Sequence, residues 1–423
     1  MEGTSWLENR WLRILGVAFV MYILSYVDRV NIAMATPVMR AELGLSGAEL
    51  GFAVGFFFWG YIILQIPAGR LAGVWSAKRV ILIQLVLWSL AAMSTAFVHT
   101  RGELIANRFA LGLAEGGVLT GTIVLIRAWF TRAERARANT LFLLSLAIGP
   151  VIANPISGLV LAHFGWRMMF VVEALPAFLW GAVWWWAIAD HPAQARWLPE
   201  AERARLTAAL DAERDAVEAP RGHWLATLLH PAVLLLALYN FAALMAEWGV
   251  NFWLPSVLKE TGLSIVATGF LSAIPYAVGA LLMVVVAWSS DRMQERKWHM
   301  IAATAGSGVF LILANAAPVG GTIGILVCLT LAVGSFHGRF GPFWTLPTDI
   351  LPPAVAGVGI GLINGAGNLG GTVGPYFFGV VRTATGSFSL ALFAAGLSLI
   401  VGSLIAVPIA AGRNNKSGKR LAI

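Results

Sequence analysis

Twelve apolar runs, each long enough to form a bilayer-spanning helix of about 20 residues, occupy most of this 423-residue sequence. Hydrophobic residues make up 58% of the chain and charged residues 12%, which is too apolar for a soluble protein of this size. Because lipid offers the backbone no hydrogen-bond partners, apolar runs of this length must be helical. The sequence therefore predicts an all-α polytopic membrane protein with 12 transmembrane helices.

One long polar stretch divides these runs into two sets of six. It begins at DHPAQARWLPEAERARL and continues as a charged helical pattern. We therefore predict an N-terminal six-helix bundle at 1–190, a cytoplasmic linker loop at 191–229, and a C-terminal six-helix bundle with a short basic tail at 230–423. GRLAGVWSAKR follows the second run and SSDRMQERKWH follows the eighth, so the two bundles are expected to be pseudo-symmetric, as in duplicated carriers.

Basic residues predict the orientation of the chain in the membrane. Clusters such as Arg132, Arg135 and Arg137 alternate with connections that carry few positive charges, and the tail is basic as well. Since cytoplasmic connections carry the excess of lysine and arginine, both termini are predicted to be cytoplasmic. We expect a monomer in the plasma (inner) membrane, in contact with membrane lipid.

Several functional classes are excluded by what the chain contains. The single cysteine, Cys328, cannot form an internal disulfide framework, and the seven histidines show no metal-ligand spacing. The net charge of +8 lies in short clusters and not in one stripe with interleaved aromatic residues, so nucleic acid is not an expected partner. The sequence predicts no cofactor, no metal and no enzymatic activity.

Four charged residues lie inside apolar runs. Asp28 and Arg29 are adjacent in the first run, whereas Arg108 and Glu115 are seven residues apart in the fourth, two turns along one helix face. Ionisable groups at bilayer depth are costly and mark solute or ion pathways. The arginines can bind a carboxylate through charge-assisted hydrogen bonds. The two acids can neutralise the positive charge of the arginines when no anion is bound. The alternatives are structural salt bridges, or an Arg108 side chain that reaches the interface.

Several longer strings are similar to one known family. YVDRVNIAMATPVM, FFFWGYIILQIPAGRLAG, ANRFALGLAEGG, NFWLPSVLKETGLS and FWTLPTDILPPAVAGVGIGLINGAGNLGG resemble the anion:cation symporter family of the major facilitator superfamily over nearly the whole chain. The family includes carriers of sugar acids, tartrate, phthalate and hydroxyphenylacetate, mostly coupled to protons. One departure is Gly73, which stands where the superfamily usually has an aspartate in the loop after the second helix. The resemblance implies a carrier of two six-helix bundles.

The resemblance also implies roles for individual residues. Anion and proton binding in relatives map to Tyr26, Asp28, Arg29, Arg108 and Glu115, and sugar-acid contacts map to Trp344 and Asn364. From the residues themselves, we add three candidates for substrate contact: Trp253 in the seventh run, and His337 and Arg339 in the tenth. Two further acids in apolar runs, Glu173 and Glu247, receive no role.

These observations predict a proton-coupled symporter that imports a small organic carboxylate by alternating access. When the substrate anion takes over an arginine, the displaced Asp28 or Glu115 loses its cationic partner and binds a proton, so anion and proton cross together. The identity of the acid stays open among aromatic acids, hydroxy dicarboxylates and sugar acids. The alternatives are an uncoupled facilitator or anion exchanger and, with less support, a solute sensor that does not transport.

Overall fold

The computed structural model describes residues 9–215, 228–316, 321–351 and 353–409. These residues form helices joined by short turns, with no strand among them. Eight described segments are apolar and long enough to cross a membrane, and two of them, Gly47–Phe97 (51 residues) and Arg132–Ala187 (56 residues), are long enough to cross twice. The predicted all-α membrane fold is confirmed. The end of the predicted linker and the predicted basic tail lie outside the described residues.

The N-terminal half contains six apolar helices. The first four are α1 (Trp11–Glu42), α2 (Gly47–Gly55 and Phe57–Leu71), α3 (Ala77–Ser94) and α4 (Arg101–Glu115 and Val118–Trp129). After the connecting helix Arg132–Leu143, Ser145–Ala187 supplies two more, α5 at 145–164 and α6 at 166–187. Gly165 separates these two arms because its φ of 76° belongs to the region that glycine enters freely.

The C-terminal half follows a second connecting helix, Glu200–Asp215, and also contains six apolar helices. They are α7 (Pro231–Lys259), α8 (Ile265–Met293), α9 (Lys297–Ala316), α10 (Gly321–Gly338 and Phe340–Ile350), α11 (Pro353–Thr385) and α12 (Ser389–Ile405). The sequence predicts an unbroken tenth helix, whereas the structure divides α10 at Arg339. The described part of the chain thus contains the twelve apolar helices that the sequence predicts.

The chain groups into two compact units. The first unit contains the described part of Met1–Ala219 together with Trp248–Ala277 and Thr372–Ala391; the second contains the described parts of Pro220–Glu247, Val278–Gly371 and Leu392–Ile423. Parts of α7, α8 and α11 therefore belong to the first unit. The predicted domain division at 191–229 stays a prediction.

A close approach of α2 and α4 positions two of the charged residues. A Cβ at Gly112 would lie 2.0 Å from the carbonyl oxygen of Phe57, and one at Gly60 would lie 2.3 Å from that of Phe109. Only glycine allows backbones to approach this closely, as is common between membrane helices. Arg108 and Glu115 are on either side of this contact on α4, so the glycines fix their depth and direction.

The loop after α2 obtains an acid from elsewhere in the chain. Where relatives usually carry an aspartate, Gly73 lies in the irregular turn Ala72–Ser76. The carboxylate of Asp190 accepts hydrogen bonds from the Ser76 hydroxyl at 2.6 Å and from the Lys78 backbone N–H at 2.8 Å. Asp190 thus stabilises the N-terminus of α3, where an anion is favoured.

Candidate functional site

Arg29 and Glu115 form a buried ion pair between α1 and α4. The Arg29 Nε donates to Glu115 Oε2 at 2.6 Å, and the two side chains are 8% and 0% exposed. The Ser25 hydroxyl, one turn before Arg29, donates to the same oxygen at 3.0 Å. The sequence pattern placed Glu115 beside Arg108, but the helix packing gives this carboxylate to Arg29. Such a pair is stable only while both partners are present.

Four aromatic rings surround the Arg29 guanidinium. The ring centroids of Tyr22, Tyr26, Phe57 and Tyr61 lie 5.0 to 5.9 Å from its central carbon. These contacts hold the planar group by cation–π attraction while leaving hydrogen-bond donors unused. The buried Nη2 of Arg29 has no hydrogen-bond partner among the described residues. Arg29 is therefore held in place with one donor available to an incoming acceptor.

Asp28 is the next residue on α1 but has a different environment. It is 1% exposed, and its Oδ2 accepts a hydrogen bond of 3.1 Å from the indole nitrogen of Trp88 on α3. Its Oδ1 has no hydrogen-bond partner in the described part of the chain, and no described cation lies within ion-pair distance of Asp28. Asp28 is thus a buried carboxylate held by one neutral donor.

Arg108 on α4 is bound by neutral groups. Its Nη2 donates to Thr95 Oγ1 at 2.5 Å and to Asn107 Oδ1 at 2.9 Å, and its Nε donates to the same Asn107 oxygen at 3.1 Å. The guanidinium also lies 5.8 Å from the Phe170 ring centroid on α6. No described carboxylate forms an ion pair with this side chain, which is 2% exposed. Arg108 therefore does not snorkel to the surface.

One cavity in the first unit brings three of these charges together. Asp28, Arg29 and Arg108 line it, along with Val54, Phe57 and Phe58 on α2. Its remaining wall includes Trp248, Asn251, Phe252 and Pro375, which belong to the same unit. An apolar chamber with two arginines and one carboxylate is suited to a small anion with an apolar or hydroxylated body.

Part of this wall is not predictable from the sequence pattern. We predicted Trp253 as the substrate contact on α7, but its indole donates to the Pro375 carbonyl at 3.0 Å and its ring packs against Phe388. Trp248 and Asn251 line the cavity instead. The one feature of the sequence that could have indicated these positions is Glu247, an acidic residue next to Trp248 in an otherwise apolar helix.

In the second unit, Arg339 is a buried arginine in an aromatic setting. Arg339 is 0% exposed and donates from Nη1 to Asn240 Oδ1 at 3.3 Å. The rings of Phe336, Phe340, Phe343 and Tyr239 have centroids 4.3 to 5.6 Å from its guanidinium carbon. Among the described residues no carboxylate pairs with it, and its Nε and Nη2 have no hydrogen-bond partner. This buried cation is compensated only by neutral groups.

The other three candidates in the second unit are packed differently. His337 Nδ1 bonds to the Val333 carbonyl oxygen at 2.9 Å, and the ring lies against Gly279 on α8. Trp344 is half-buried with its ring centroid 4.8 Å from that of Phe343, next to the Arg339 group. Asn364 is also half-buried and follows Ile363, whose carbonyl accepts a hydrogen bond from Asn240. His337 thus has a packing role between α8 and α10.

Twelve apolar helices and a cavity lined by buried charges define a membrane carrier for a polar solute. The Major Facilitator Superfamily matches residues 18–375 of the chain. The chain therefore belongs to this superfamily, and it is an integral membrane transporter and not an enzyme.

Known relatives cover almost the whole chain. A protein named putative tartrate transporter from Agrobacterium vitis is 34% identical over 98% of this chain and 97% of its own length. A quinolone resistance transporter from Acinetobacter baumannii is 31% identical over 93% of this chain and 92% of its own. The inward-open xylose transporter XylE from E. coli matches with a TM-score of 0.79 at 18% identity, over 96% of this chain and 98% of its own, which supports the fold alone. The resemblance to the anion:cation symporters is confirmed.

Proposed function

We propose that this protein is a proton-coupled symporter that imports a small organic carboxylate. The observation that carries the proposal is the Arg29–Glu115 ion pair, since Arg29 also lines a cavity with Arg108 and Asp28. A carboxylate in that cavity competes with Glu115 for Arg29. Competition for one cation is the simplest way to couple the binding of an anion to the binding of a proton.

Substrate binding begins at the two arginines. The free Nη2 of Arg29 and the guanidinium of Arg108 can both donate charge-assisted hydrogen bonds to a carboxylate. Tyr26 is one of the aromatic rings that hold the Arg29 guanidinium in place. Trp248 and Asn251 provide an apolar face and an amide for the rest of the molecule. In the second unit, we propose that substrate contacts come from Arg339, Trp344 and Asn364, whereas His337 packs between α8 and α10.

Proton coupling follows from the charge balance of the cavity. Once the substrate carboxylate binds Arg29, Glu115 is left buried without its cation, and the added negative charge also acts on Asp28. Buried unpaired carboxylates are strongly disfavoured, so Asp28 and Glu115 together take up one proton for each carboxylate that the substrate brings. The loaded carrier then crosses between inward-facing and outward-facing states with its charge neutralised, which is the condition for alternating access.

The names of relatives narrow the substrate class. A relative named for tartrate supports a hydroxy dicarboxylate, which would use both arginines of the first unit. A relative named for quinolone resistance supports a larger aromatic solute, for which the aromatic wall of the cavity is suited. We propose a hydroxy dicarboxylate first and an aromatic acid second. We also propose a monomer in the inner membrane with both termini cytoplasmic, on the basis of the alternating basic connections.

Uptake into liposomes tests this proposal. The purified protein is reconstituted, and uptake of labelled tartrate, phthalate, hydroxyphenylacetate and galactonate is measured with and without an inward proton gradient. We expect one acid to accumulate above equilibrium only with the gradient, and we expect Asp28→Asn and Glu115→Gln to abolish accumulation. Glu42→Gln is the matched control, because Glu42 pairs with Arg167 away from the cavity. Equilibration without accumulation would identify a facilitator or exchanger, and binding without flux would identify a sensor.

A further inference from the structure

Glu173 is a buried acid in the first unit to which the proposed mechanism gives no part. It lies on α6, two turns after the Gly165 break, and is 5% exposed. Neither of its carboxylate oxygens has a hydrogen-bond partner of good geometry among the described atoms. A carboxylate this deeply buried is costly when ionised and unpaired. Its protonated form would be far less costly.

The groups that face Glu173 are suited to a protonated carboxyl. Asn31 on α1 and Ser157 on α5 lie beside it, are buried, and also lack partners of good geometry. Neither is a cation that could neutralise an ionised acid. A protonated carboxyl can donate to the Asn31 amide oxygen or the Ser157 hydroxyl, and its other oxygen can accept from either group. A proton on Glu173 therefore allows each of the three side chains to form a hydrogen bond.

Glu173 acts electrostatically on Asp28 of α1. The two carboxylates are within electrostatic range of each other, and Glu115 and Arg108 on α4 also act on Asp28. Arg108 contacts the α6 ring Phe170, three residues before Glu173, but forms no ion pair with either acid among the described residues. Two neighbouring buried carboxylates do not both ionise readily. Asp28 and Glu173 thus compete to be the ionised member.

The charge count of this cluster leads to the same conclusion. Three acids, Asp28, Glu115 and Glu173, are buried with two arginines, Arg29 and Arg108. With every group ionised the cluster carries one net negative charge, which a single proton neutralises. Glu115 has a cation and Asp28 has a donor in Trp88, whereas Glu173 has neither an ion pair nor a hydrogen bond of good geometry among the described residues.

We propose that Glu173 is a second proton-binding residue of the carrier, which exchanges its proton with Asp28 during the transport cycle. Asn31 and Ser157 hold the proton on Glu173 while Asp28 is ionised. Arrival of the substrate anion drives transfer of this proton to Asp28, and Glu173 then takes up a new proton from solution, so that one proton enters with each added negative charge. This inference rests on the proposed proton symport. It gives α6 a direct part in coupling that the sequence pattern did not assign.

Gradient-driven uptake and substrate counterflow, compared in one preparation, test the inference. Counterflow exchanges substrate across liposomes without net proton movement. Glu173→Gln imitates the protonated acid and cannot release a proton. We therefore expect gradient-driven accumulation to fall by at least about tenfold. The rate of counterflow should stay within about twofold of the wild-type rate. Glu173→Asp should restore accumulation, and Glu42→Gln should behave as wild type. Glu173→Leu serves as a second neutral variant if Glu173→Gln does not fold.

The outcomes separate this inference from the function on which it rests. If wild type itself does not accumulate substrate under a gradient, the symport proposal fails and the role of Glu173 fails with it. If wild type accumulates and Glu173→Gln does so equally, only the inference is overturned. Equal losses of accumulation and counterflow in a folded variant would also overturn it, because they indicate a structural or substrate-binding role.

Discussion

The two units stabilise a buried arginine in different ways. In the first unit Arg29 is paired with Glu115 at 2.6 Å, and two further acids lie in the same cluster. In the second unit Arg339 is surrounded by aromatic rings and one amide oxygen, with no carboxylate partner among the described residues. The charge of the first site changes whenever an acid binds a proton. The charge of the second does not, because arginine stays protonated.

This difference indicates separate roles for the two sites, one in proton coupling and the other in substrate affinity. A site that contains both arginines and acids can respond to pH and to an anion together, so we place the proposed coupling in the first unit. A permanent cation with neutral partners attracts an anion at any pH, so Arg339 is suited to affinity and specificity alone.

The largest effect is expected at Arg29. Arg29→Gln leaves Glu115 buried without a cation, and breaking a buried pair from one side costs about 3–5 kcal/mol. We therefore expect the initial rate of uptake to fall by about 100-fold or more, with reduced thermal stability, and Arg29→Lys to recover part of the rate. Radiolabelled uptake at saturating substrate measures the change. Arg40→Gln, near the end of the same helix, is the control, and a rate above about a tenth of wild type would contradict the paired arrangement.

Arg339 should affect affinity without affecting coupling. A charge-assisted hydrogen bond is worth about 1.5–3 kcal/mol, so Arg339→Gln should raise the KM for the substrate by about tenfold or more. The ratio of accumulation with a gradient to that without it, measured at saturating substrate, should equal the wild-type ratio. Arg382→Gln is the matched control because Arg382 pairs with Glu260 outside the cavity. A change in the gradient ratio would show that the second unit shares in coupling.

Trp88 tests whether Asp28 is a proton acceptor. The indole donates to the Asp28 carboxylate and favours its ionised form, so Trp88→Phe should make proton binding easier. We expect half-maximal uptake to move to higher pH by about 0.5–1 unit, which corresponds to one hydrogen bond of about 1 kcal/mol. The pH profile of initial uptake measures this shift. Trp184→Phe is the control, since the Trp184 indole donates to the Lys78 carbonyl; an unchanged profile for Trp88→Phe would remove Asp28 from the proton pathway.

The fold was predictable to a large extent, and the pairing inside the site was not. Helix number follows from the apolar runs, and the positions of Asp28, Arg29, Arg108 and Glu115 follow from the cost of charges in lipid. However, membrane helices are apolar on both their lipid-facing and their packed sides, so periodicity does not identify the buried face. The sequence therefore placed Glu115 with Arg108 although it pairs with Arg29.

For the same reason, the sequence does not identify which tryptophans line the cavity. Trp253 and Trp248 are five residues apart on α7, and both fit an apolar run equally well. Only the packing of α7 against α11 decides that Trp253 bonds to Pro375 and that Trp248 lines the cavity. Trp88 gave no signal at all, because a tryptophan inside an apolar helix becomes a donor to Asp28 only through the contact between α1 and α3.

The smallest expected effect concerns an acid outside the membrane-spanning segments, which contrasts with the buried acids of the first unit. Glu295 precedes α9 and accepts hydrogen bonds from the backbone N–H groups of Trp298 and His299 at 2.7 and 3.1 Å. Partial burial acts to raise the pKa of Glu295, but these hydrogen bonds and the His299 ring outweigh it, so the pKa lies below its ordinary value. Its ionised form therefore stabilises the folded state above the unfolded pKa of about 4.3, and this contribution disappears as pH falls through the lower folded pKa.

Glu295→Gln should accordingly lower the apparent Tm by about 1–2 °C at pH 7, in line with a helix-capping contribution of about 1 kcal/mol in a chain of this length. The difference from wild type should shrink progressively below about pH 4, where Glu295 is protonated in both states. Thermal unfolding of the detergent-solubilised protein at several pH values measures this. A constant difference at all pH values would mean that packing, and not charge, explains the contribution of Glu295. Its uptake should keep the wild-type pH profile, because an acid held ionised by its helix cap binds no proton in the range where Asp28 and Glu173 are proposed to do so.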